Sequence, residues 1–77
     1  MNIELVIHEI STILAASFFQ MNFSKNHQVK EISTKNFNDI KYLMKCNYPY
    51  FEKKYPGITR EEFQEIQSRL NNYFKID

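Results

Sequence analysis

Apolar residues recur along this 77-residue chain with a helical period rather than the alternation of a strand. Ile3, Val6, Ile7, Ile10, Ile13, Leu14, Phe18 and Met21 fall within an arc of about 140° at 100° per residue, a broad core-facing stripe. The pattern predicts a first helix over 3–22. A strand over the first eight residues is the competing reading, since Ile3, Leu5 and Ile7 alternate, but the alternation ends there. Leu5, Phe19 and Phe23 project about 160–200° away from the stripe centre. A helix apolar on two sides is either buried in the middle of a bundle or shared with another subunit. In a chain this short, pairing of two copies along the first helix is the economical expectation.

The segment 24–35 is polar, with only Val29 and Ile32 as aliphatics, and reads as a loop with a strand over 28–33 as the alternative. Phe37, Ile40, Leu43 and Met44 then form a second helical stripe over 36–47, with Thr34 or Asn36 as its N-cap. Pro49 ends that helix and suits the start of an extra helical turn near 49–55, which Pro56-Gly57 closes. Thr59-Arg60-Glu61-Glu62 has the spacing of a capping box, opening a last helix over 60–75. Its stripe is Phe63, Ile66, Leu70, Tyr73 and Phe74, and Glu65 and Arg69 stand at i,i+4 on the other side. The expected fold is all-α: one domain over 1–77 with three helices and an extra turn, and a dimeric bundle as its assembled form.

Composition narrows the picture. The single Gly and two Pro do not supply the turns that an all-β architecture needs. Seven Phe and five Tyr offer large rings for a core that would otherwise be small. One cysteine, Cys46, closes no intrachain bridge, which fits a reducing compartment and a cytoplasmic protein. No membrane or export segment is expected. The apolar N-terminal run lacks a basic leader, Glu4, His8 and Glu9 interrupt it, and its longest charge-free stretch is fifteen residues, 10–24.

Candidate chemistry is sparse. His8, His27 and Cys46 stand nineteen residues apart, a spacing that builds no zinc site. Cys46 has Lys45 beside it but neither a base nor an orienting group nearby. Gly57 is the only glycine, so no glycine loop cradles a phosphate. The sequence therefore predicts no catalytic residue, no cofactor and no metal.

Binding surfaces are more evident. Leu5, Phe19 and Phe23 on the first helix, with Tyr48, Tyr50 and Tyr55 around the prolines, are candidate partner-binding residues. Charge is unevenly spread: net −2 over 1–24, +4 over 25–54 and −1 over 55–77. Lys25, Lys30, Lys35, Lys41, Lys45, Lys53 and Lys54 lie among the tyrosines of the middle block, which is the composition of a nucleic-acid groove. The absence of arginine there weakens base reading. The leading expectation is a non-catalytic regulator or inhibitor of bacterial or phage type, binding another protein as a homodimer. A nucleic-acid-binding regulator is the alternative.

Overall fold

The computed structural model describes residues 2–75. Those residues form four helices and no strand: α1 (Ile3–Phe23), α2 (His27–Lys45), α3 (Tyr48–Lys54) and α4 (Arg60–Phe74). Each helix opens on a side-chain cap that satisfies backbone N–H groups left over in its first turn. Asn2 accepts from the Glu4 and Leu5 amides, Asn26 from Gln28 and Val29, and Asn47 from Tyr50. At α4 the capping box is complete. The Glu62 amide donates to Thr59 Oγ1 at 3.1 Å, and the Thr59 amide donates to Glu62 Oε1 at 2.9 Å.

The second helix corrects the sequence reading. Residues 27–35 are helical, neither loop nor strand, and α2 starts nine residues before 36. Thr34 and Asn36 are interior to it, and the Thr34 hydroxyl donates to the Lys30 carbonyl instead of capping. The register was obscured because α2 buries a serine, Ser33, in this stretch, while Ile32 points outward and is 61% exposed. His27, expected in a loop, is the first residue of α2. The extra turn near 49–55 is a seven-residue helix, α3, with Pro49 in its first turn. After it, Gly57 adopts φ +90°, a conformation that side chains with a Cβ rarely take.

The core gathers at one end. Val6, Ile7, Ile10 and Leu14 of α1 meet Ile40, Leu43 and Met44 of α2, Phe51 of α3, Ile58, and Phe63, Ile66 and Leu70 of α4. Phe51 sits at its centre, fully buried, with its ring 5.2 Å from that of Phe63. Tyr48, Phe37, Tyr55, Ile3 and Phe74 pack around the margin. Beyond Leu14 the buried positions of the α1–α2 hairpin are Ser17 and Ser33, and the Ser33 hydroxyl donates to Gln20 Oε1 at 2.9 Å. The hairpin thus outruns the core. The molecule extends 40 × 23 × 22 Å, and its radius of gyration of 13.1 Å exceeds the about 11.5 Å of a compact domain this size.

Long-range polar contacts tie the core end together. Arg69 donates to both carboxylate oxygens of Glu4 on α1, at 2.5 and 3.2 Å, and not to Glu65 of its own helix. Gln67 donates to the Cys46 carbonyl at 2.9 Å, which anchors the α2–α3 link to α4. By length and composition α1 is also apolar enough to cross a membrane, although the charge-free run read from the sequence is shorter. In this fold it is the helix around which the others pack.

Two measurements test this arrangement. Asn26→Ala removes the α2 cap and is expected to cost about 1 kcal/mol in chemical denaturation, where a loop residue would cost little. The hydrogen bonds from Arg69 hold the Glu4 carboxyl below its ordinary range. The contribution of the pair is therefore present above the unfolded carboxylate pKa and is lost as pH falls through the lowered value. An NMR titration should show the Glu4 midpoint return upward in Arg69→Ala.

Candidate protein-docking surface

The distal half of α1 carries three phenylalanines in six residues, and its register with the core decides where they point. Taking Val6, Ile7, Ile10, Leu14 and Ser17 as the buried direction, Phe18 lies about 70° to one side and Phe19 and Phe23 lie about 150–170° away. All three remain largely open to solvent, at 54%, 63% and 66% exposure. Phe18 was placed in the core stripe by periodicity. It falls at the stripe's edge, where α2 gives it one partner, Phe37, at 5.8 Å between ring centroids. Phe19 and Phe23, four residues apart, pack on each other at 5.1 Å.

With Leu14 and Ala15 below and Phe74 of α4 at one end, these rings line a concave apolar groove of about 460 Å³. Its α2 edge is basic. Lys41 holds its Nζ 5.7 Å from the centre of the Phe37 ring, and Lys30 lies seven residues before Phe37 on the same face of α2. Lys75 follows Phe74. A second cleft of about 350 Å³ is lined by Glu9, Ile13, Asn36, Asp39, Ile40, Lys54 and Tyr55. The carboxylates Glu9 and Asp39 thus line this cleft and not the groove.

Phe19 and Phe23 are brought together, as the sequence suggested, but the other predicted partner-binding residues are not. Leu5 is exposed fourteen residues from Phe19 along α1, a distance of about 21 Å. Tyr48 and Tyr55 are struts of the core margin. The Tyr48 hydroxyl lies 2.5 Å from the Ile58 carbonyl and 2.9 Å from Glu52 Oε2, while Arg60 stacks over its ring at 4.6 Å. Tyr55 donates to Glu9 Oε1 at 3.3 Å, and burial, with Glu9 beside it, pushes its pKa up to about 12. Tyr50 is exposed and meets Tyr42 edge-on at 4.9 Å.

The lysines separate as well. On α2, Lys30, Lys41 and Lys45 share an arc of about 60°, with Lys35 turned about 140° from Lys30. Lys25 precedes α2, and Lys53 and Lys54 lie in the last turn of α3. Cys46 is buried, donates to the Leu43 carbonyl at 3.1 Å, and has its thiol pKa raised by burial, the reverse of an activated nucleophile. His8 is exposed on α1, and among the described residues no three His, Cys, Asp or Glu side chains gather to hold a metal. Compared with known protein families, curated proteins and solved structures, the chain has no match.

Phe37 and Phe74, which complete the groove, were read from the sequence only as core positions. Both pack half-buried against the core, as read, and their open edges line the groove as well, which no local pattern encodes. If the groove is a binding surface rather than a load on the fold, Phe19→Ala and Phe23→Ala should each shift unfolding free energy by less than about 1 kcal/mol. Leu14→Ala, five residues before Phe19 and buried, should cost about 2–5 kcal/mol in the same denaturation experiment.

Proposed function

We propose that this chain is a small, non-catalytic regulatory or inhibitory protein of the cytoplasm that acts by binding another protein through the phenylalanine groove. The observation that carries this reading is the exposure of Phe18, Phe19 and Phe23 around a single apolar groove. Contiguous apolar patches of several hundred Å² on a soluble chain mark interaction sites, and aromatic rings are the side chains that interfaces favour. Pairing of two copies along α1 is the competing way to cover the same rings.

The nucleic-acid alternative has less support. Tyr48 and Tyr55 are engaged within the fold, which leaves Tyr42 and Tyr50 as the exposed rings near Lys45. Stacking platforms need free ring faces along a basic track.

Affinity capture from the source cell with the intact chain and with Phe19→Asp/Phe23→Asp tests the proposal. The expected result is one or more proteins retained by the former and lost by the latter, with unchanged circular dichroism. Equal retention by both removes the groove as the docking surface. Light scattering at high concentration decides the self-pairing form: a dimer that Phe23→Asp converts to a monomer supports it, and a monomer excludes it. A mobility shift with nucleic acid at low salt, abolished by Lys41→Glu/Lys45→Glu, would favour the alternative.

A further inference from the structure

We infer that the occupant of the groove is an amphipathic helix of another protein whose apolar stripe is flanked by acidic residues. This rests on the protein-binding reading above and names the chemistry of the partner.

Shape sets the first limit. The lining is almost wholly apolar, without the few convergent polar groups that orient a small molecule in its site. The groove is shallow and elongated, lined along α1 from Leu14 to Phe23. That run is about 13.5 Å at 1.5 Å per residue, the length of about two and a half helical turns. A helix laid along it seats anchors at i, i+4 and i+7, the spacing of helix-in-groove recognition.

Charge sets the second. Lys41 stands over Phe37 at the edge of the groove, Lys30 shares its face, and Lys75 adjoins Phe74 at the end. Among the described residues the acidic groups lie elsewhere. α1 has no charged residue after Glu9, Glu31 is turned about 100° from Lys30 around α2, and Glu9 and Asp39 line the other cleft. Glu4 is engaged by Arg69. An apolar floor with a cationic rim complements an apolar stripe with an anionic flank.

Charge also disfavours a second copy. A two-fold pair would use this same patch on both sides, and the described charges at its rim, Lys30, Lys41 and Lys75, are all cationic, so the patch offers no acid to its own copy.

The test titrates the full chain against two fluorescently labelled amphipathic peptides with the same leucine stripe, one flanked by glutamates and one by lysines, read by fluorescence anisotropy. The expected result is at least about tenfold tighter binding of the glutamate peptide at low salt, a gap that narrows as salt screens it. Lys30→Glu/Lys41→Glu should abolish or reverse that preference, and Phe19→Asp/Phe23→Asp should lose both peptides, each variant keeping its helical circular dichroism. Equal binding of the two peptides overturns the acidic assignment and leaves the docking groove standing. A dimer that excludes both peptides and dissociates in Phe23→Asp makes the occupant a second copy. Tighter binding to anionic phospholipid vesicles than to either peptide makes it a lipid surface and overturns both readings. Failure of a monomer to bind any of these overturns the inference, and the capture experiment then decides the protein-binding reading separately.

Discussion

A long helix that is apolar on two sides needs cover on both, and the described residues cover α1 on one. Everything else in the structure follows from how that shortage is distributed. Over its first three turns α1 shares one buried core with α2, α4, Phe51 of α3 and Ile58. Over its last two turns only α2 lies against it at buried positions, and those positions are serines. Burial is worth about 25 cal/mol per Å² of apolar surface, so nearly all hydrophobic stabilisation is concentrated in one half of a 40 Å molecule. Phe18, Phe19 and Phe23 sit in the other half.

The completed half is fastened by polar groups that look functional in isolation. Tyr48 bridges α3 to the turn before α4, Tyr55 reaches back to Glu9, Gln67 holds the link at Cys46, and Arg69 grips Glu4. Tyrosine suits this margin because its ring joins the core while its hydroxyl finds a partner at the edge. An aromatic and basic segment that reads as an interface is therefore largely the seam where α3 and α4 close on α1. That leaves little of it free for stacking.

Helices whose stripes bury aliphatic residues were legible. The ranges 3–22 and 60–75 match α1 and α4 within a residue or two, and the Thr59–Glu62 capping box is formed. The first third of α2 was not, because at Ser33 a small polar residue occupies a core-facing position and breaks the apolar period that sequence reading depends on. Asn26, whose cap opens the helix, is indistinguishable in sequence from a loop residue. The local pairing rule that matched Arg69 with Glu65 was overridden by a tertiary partner, Glu4, sixty-five residues away. Of the groove, Phe19 and Phe23 could be read from their angle on α1. Phe18, Phe37 and Phe74 could not, since each satisfies a core stripe: Phe18 is left exposed at its edge, and Phe37 and Phe74 are half-buried where the core meets the groove.

The serine seam has a further consequence. Segments with few buried apolar contacts open at a lower free energy than the molecule as a whole. Ser17 and Ser33 give the distal hairpin little more than the Ser33–Gln20 hydrogen bond at its buried positions. The distal hairpin is thus the part of the fold least held by burial, and Ser17 and Ser33, which do not line the groove, set how firmly the two helices behind it are joined.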